Sequence, residues 1–124
     1  MGEVFREITL PWKGQDHTMT PSVGLLRRIK QQGINNLVLA GEVYHGGADP
    51  ADLAVVHRLF MEAAGVRISD EDSYGFLTGD ETEAVVQFQQ AYVMAVIPSI
   101  DLGKKPEAPV VETKKQKRKK KSPI

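Results

Sequence analysis

Residues 80–98 read DETEAVVQFQQAYVMAVIP, the most apolar long segment of the chain. Val85, Phe88, Tyr92 and Val96 recur at the three- and four-residue steps of one helical face, and Val86, Val93 and Ile97 widen it. A helix that is apolar most of the way round is buried on several sides. The segment therefore predicts a central helix, with Asp80 as its capping residue and its end just before Pro98, because a residue preceding proline is driven out of helical conformation.

Upstream, the same punctuation marks further helices. Ser69-Asp70-Glu71-Asp72 combines a hydroxyl cap with acids in a first turn, where the helix dipole favours them, and predicts a short helix ending at Gly79. Before it, Asp49-Pro50 sets a cap and a first-turn proline, and Leu53, Val56, Leu59, Phe60 and Ala63 keep helical spacing until Gly65. Val66–Ile68 reads as extended. A helix over Asn35–Tyr44 is stopped by Gly46 and Gly47. Another starts at Thr20-Pro21 and runs to about Gln32, with Val23, Leu26 and Ile29 inward.

The first residues differ in kind. Val4, Phe5, Ile8 and Thr9 favour strand, and His17–Met19 supplies a second short run, so a β-hairpin is expected with its loop at Pro11–Asp16. An isolated ribbon is barely stable in water, so Phe5, Ile8 and Trp12 are expected to pack it on the helices. The fold class predicted is α+β, mainly α: a short N-terminal hairpin on about five helices, forming a globular domain over residues 1–102.

The rest of the chain cannot join that core. From Gly103 onward no apolar periodicity survives, and Pro106, Pro109 and Pro123 lie among Lys, Glu and Ser. Residues 103–124 are predicted to be a disordered Lys-rich tail, since such a segment buries too little surface to offset its ordering entropy. A formal net charge of zero over the 124 residues conceals a split. Residues 104–124 carry nine Lys or Arg and two Glu, a net of +7, and residues 1–103 carry seven basic and fourteen acidic residues, a net of −7. Such asymmetry marks an interaction tail.

Signatures of chemistry are sparse. The absence of Cys excludes disulfides and thiolate metal sites and fits a reducing compartment. No stretch reaches the roughly 20 apolar residues of a membrane helix, and the acidic, Arg-containing start is unlike a signal peptide. A soluble, cytoplasmic protein is expected. His17, His45 and His57 fall on a strand, a loop and a helix, and no two have the spacing of a helical metal pair. The acids at 70–72 and 80–83 are accounted for by helix starts. No glycine pattern fits a phosphate loop, and no Ser sits in a nucleophile elbow. No enzyme activity, metal or cofactor is expected.

Two basic groups remain as partner-binding candidates. Arg27, Arg28 and Lys30 form the densest basic patch of the body, on the outward side of the 20–32 helix. In the tail, Lys114, Lys115, Lys117, Arg118, Lys119, Lys120 and Lys121 can neutralise several phosphates, dock on an acidic protein surface, or engage the acidic body of their own chain or of a neighbour in a homo-oligomer. They also suit a solvated tail that only maintains solubility. Without interleaved aromatics for base stacking, specific nucleic-acid recognition is not favoured.

The order of residues resembles a family. Ile8-Thr9-Leu10-Pro11-Trp12-Lys13-Gly14, His17-Thr18-Met19-Thr20-Pro21 and Leu25-Leu26-Arg27-Arg28-Ile29 look like the opening of phage tail assembly chaperones of the long-tailed phage and gene transfer agent type. Ala63-Ala64-Gly65-Val66, Ser69-Asp70-Glu71-Asp72-Ser73-Tyr74 and the stretch 84–98 are similar to the rest of that domain, so that the resemblance spans about residues 4–100. It implies a non-catalytic protein that binds the long helical tape-measure protein, keeps it soluble and helps recruit tail-tube subunits. Such a protein works in the host cytoplasm and is absent from the mature virion. The exposed side of the 20–32 helix and the loops flanking Asp49 are the contact surfaces expected on this resemblance. It also implies a longer product made by ribosomal slippage. Lys119-Lys120-Lys121 forces an A-rich message, and a gene lacking a slippery heptamer and an overlapping downstream frame would remove that idea. Two other classes suit the sequence: a small nucleic-acid-binding protein acting through its tail, and a structural head–tail or tube-associated subunit. The net charge of the body opposes the former.

Overall fold

The computed structural model describes residues 4–100, so the predicted basic tail and its candidates Lys114, Lys115, Lys117, Arg118, Lys119, Lys120 and Lys121 lie outside the described residues. Within the described residues the chain is α+β and mainly α. A hairpin of β1 (Ile8–Trp12) and β2 (Gln15–Met19) precedes α1 (Val23–Gln31), α2 (Asn36–Tyr44), α3 (Pro50–Ala63), α4 (Asp70–Leu77) and α5 (Thr82–Val96).

The hairpin is tighter than the expected loop at Pro11–Asp16. Its strands pair antiparallel from Ile8–Met19 to Trp12–Gln15, which leaves only Lys13 and Gly14 in the turn. Both have positive φ, 51° and 80°, the geometry of a two-residue type I′ turn that matches strand twist. Gly14 adopts it without steric cost; Lys13 does not. Pro11 sits inside the ladder opposite Asp16. Hydrogen-bonded and open pairs alternate from the turn outward, so this is an open pair, where a missing N–H goes unnoticed. The strand face is anchored by Leu10 and Ile8, with Trp12 packed beside them; Phe5 is half-buried and outside the core cluster.

Helix starts follow local hydrogen-bond chemistry. Ser22 Oγ accepts from the Leu25 N–H (3.1 Å), Asn35 Oδ1 from Val38 (3.2 Å) and Asp49 Oδ1 from Ala51 (2.8 Å). Ser69 and Asp72 form a reciprocal capping box, each side chain accepting from the other's backbone N–H. Two expected starts are corrected. The first helix is capped by Ser22 rather than opened at Thr20-Pro21, and Val23, expected inward, faces solvent while Leu25 joins Ile29 in the core. The cap position of α5 is Glu81, not Asp80, and no side chain bonds to its free amides. At the far end of α3, Gly65 (φ 91°) lets its N–H reach the Glu62 carbonyl and that of Val66 the Met61 carbonyl, the paired closure of a Schellman motif.

The core is shared by two long helices. α5 buries Val85, Phe88, Ala91, Tyr92, Val93 and Ala95, while Val86 is exposed and Val96 half-buried. α3 buries Leu53, Ala54, Val56, His57, Leu59, Phe60 and Met61, and Ala63, expected inward, is exposed. Phe60 stands edge-on to both Phe88 and Tyr92, with centroids 5.8 and 5.9 Å apart. Edge-to-face pairs of this kind contribute about 0.5–1.5 kcal/mol each beyond the area they bury. Asn36 ties three helices together: its amide donates to the Leu26 carbonyl of α1 (3.0 Å), and its Oδ1 accepts from the Tyr92 hydroxyl of α5 (2.9 Å).

Candidate interaction surfaces

Of the three histidines, only His57 enters a structured polar contact. His17 is half-buried on β2, and His45 is exposed beyond the end of α2 against Tyr44. His57 and Ser73 are 1% and 0% exposed, and Nδ1 lies 2.8 Å from the Ser73 Oγ. Phe76 stacks on the imidazole at 4.7 Å, Phe88 meets it edge-on at 4.8 Å, and Trp12 lies at 5.4 Å. Burial pushes the imidazole pKa down to about 4, so the ring is neutral at pH 7.

A histidine beside a serine invites comparison with acyl-transfer machinery, and the geometry does not support it. A nucleophile must reach a substrate, and this hydroxyl is fully enclosed. The rings on its neighbour supply no carboxylate to orient a base. The pair instead satisfies two buried polar side chains where α3 and α4 meet Trp12 and α5. The acids are also explained locally: Asp70 pairs with Arg58, and Asp72 serves the capping box. Among the described residues no group of three or more His, Asp or Glu is placed to hold a metal ion, and no helix is long and apolar enough to cross a membrane.

Two surfaces remain. Arg27, Arg28 and Lys30 are all exposed on α1, and Arg58–Asp70 is the one ion pair among the described residues. At about 100° per residue, Val23, Arg27 and Lys30 share one outward line, whereas Arg28 projects round the flank. The line continues past the Gly33 turn into a depression bounded by Lys30, Gly33, Ile34, Asn35, Asn36 and Leu37. Leu37 at its rim is 66% exposed, and Val38 beside it in sequence and Val23 at the start of α1 are 55% and 54% exposed. Of the loops flanking Asp49, the Asp49 carboxylate itself is engaged in capping α3.

The second surface is a groove of about 380 Å³ between α3 and α4. Ala51, Ala54, Val55, Tyr74 and Gly75 line it, with Asp70 and Glu71 at its edge. Neither the groove nor the exposed Leu37–Val38 pair was expected from the sequence. The pair had a readable signal: Leu37, Val38, Leu39 and Ala40 are four consecutive apolar residues, and one helix face cannot bury them all. Leu39 and Ala40 go inward. Compared with protein-family models, curated proteins and solved structures, the chain has no match.

Proposed function

We propose that this chain is a non-catalytic assembly chaperone of the phage tail kind, which binds the tape-measure protein and helps recruit tail-tube subunits. The observation that carries this reading is exposed Leu37 bounding one depression with exposed Lys30, whose outward line on α1 also carries Arg27. An amphipathic helix needs its apolar stripe covered and its acidic flank met by cations, and this face offers both. The rigid α1–α2 corner held by Asn36 presents the face without an ordering cost. The chaperone acts in the host cytoplasm and leaves before the virion is complete.

The test is a tagged pull-down from cells producing the particle, treated with nuclease before elution and read by mass spectrometry. Recovery of the tape-measure chain after nuclease, abolished by Leu37→Asp with Arg27→Glu, is the expected result. Recovery of nucleic acid and its binders alone, lost on nuclease treatment, overturns the reading in favour of the basic tail. Abundant protein in purified virions assigns a structural subunit instead.

A further inference from the structure

The α3–α4 groove has an apolar floor and an acidic edge, and the sequence outside the described residues contains a segment with the complementary order. Ala108-Pro109-Val110-Val111 is the longest apolar run of residues 101–124, and Lys114-Lys115-Gln116-Lys117-Arg118-Lys119-Lys120-Lys121 follows three residues on. On the body, Ala54 is buried in the groove floor, Val55 is half-buried, and Tyr74 leaves 46% of its surface exposed. Gly75 completes the floor, and a Cβ added there meets nothing within 4 Å. Asp70, Glu71 and Asp72 follow one another along the first turn of α4, with Asp70 shared with Arg58.

We propose that this groove is the intramolecular docking site of the chain's own C-terminal segment. Val110 and Val111 seat on Ala51, Ala54, Val55 and Tyr74, and the lysine run lies along the acids that open α4. Charge complementarity selects this occupant: the segment from residue 104 carries +7 against a −7 remainder. Reach permits it, because the nine residues 101–109 span up to about 30 Å, close to the diameter of a domain this size. Tethering makes weak contacts sufficient, since a short linker holds its segment at an effective concentration on the order of millimolar. Docked in this way, the segment covers exposed Tyr74 and lays its lysines on the acidic first turn of α4.

The absence of cysteine provides a clean test. A nitroxide on Thr113→Cys in the full-length, nitrogen-15 protein reports which amides lie near the segment. Signals of Ala51, Ala54, Val55, Tyr74 and Gly75 are expected to be attenuated about threefold more than those of Arg27–Lys30, as a tethered, mostly bound segment requires. Val110→Asp with Val111→Asp abolishes the difference, and so does Gly75→Leu, which fills the groove from a position where the added Cβ is unobstructed. Dispersed spectra confirm that each variant is folded. Uniform attenuation, or attenuation centred on another face, overturns the proposal. Attenuation that appears in an equal mixture of labelled and isotopic chains assigns the groove to a second copy and overturns the intramolecular form.

Discussion

Burial of His57 should add to the acid destabilisation of this domain, and the size of its share follows from its surroundings. Unfolded, the imidazole titrates near its ordinary value of 6.5; folded, burial lowers it to about 4. Between those values the unfolded chain binds a proton that the folded chain does not, so stability rises with pH across the window and is flat for this group above it. The stabilisation is thus present above about pH 6.5 and lost as pH falls towards 4. The displacement corresponds to about 3 kcal/mol at roughly 1.4 kcal/mol per unit. That is a large share of the roughly 5–15 kcal/mol typical of a domain. The assay is urea unfolding from pH 7 to pH 4 for the natural chain and for His57→Phe with Ser73→Ala. The second substitution is needed because His57→Phe alone strands the buried Ser73 hydroxyl at a cost of about 1–3 kcal/mol. Carboxylate contributions are common to both proteins and cancel in the difference. The natural chain should lose about 3 kcal/mol relative to the double variant over the interval. Parallel pH profiles would show instead that the ring titrates in the folded state as it does in water.

Three further outcomes test the joints of the fold. Tyr92→Phe removes the hydroxyl that donates to Asn36, leaving Oδ1 unpaired between α2 and α5; chemical unfolding should show a loss of about 1–2 kcal/mol, and no loss would mean water replaces the phenol. Burial also pushes the Tyr92 phenol well above its usual range, so the ring should resist deprotonation in alkali until the domain unfolds, as followed by ultraviolet absorbance. Lys13→Asn places a residue tolerant of positive φ at the first turn position. The melting temperature should rise by several degrees, corresponding to about 0.5–1 kcal/mol.

Much of this architecture was legible because helix punctuation is local. Asp49-Pro50, Asn35 and Ser69 through Asp72 act through hydrogen bonds within one turn of themselves, so residue type and spacing suffice. Where competing signals lay side by side, the reading slipped. Thr20-Pro21 and Ser22 lie within one turn of each other, and it is the Ser22 hydroxyl that accepts from the Leu25 N–H and sets the start of α1. The turn slipped similarly, because Pro11 looks like a breaker until its place in an open pair is known. His57 was within reach: it lies four residues after Leu53 and three before Phe60, on the inner face of α3. Its serine partner was not, since the sixteen-residue separation says nothing of how α4 folds back. Of the candidate surface, the exposure of Arg27, Arg28 and Lys30 was legible from the polar face of α1. The groove between α3 and α4 was not, because two separate helices make it.

The packing of β1 on α5 carries a consequence for how the chain folds. These elements stand at opposite ends of the described sequence, with 69 residues between Trp12 and Thr82. Bringing them together closes a loop whose entropy costs about 4 kcal/mol, and no contact inside that loop shortens the distance until α1 through α4 have begun to assemble. The hairpin and the helices can form early as fleeting local structure, but Leu10 finds its place only once α5 has arrived. Folding should therefore have a late, topologically demanding step, and a ribosome-bound chain lacking α5 should remain open to proteases along its whole length.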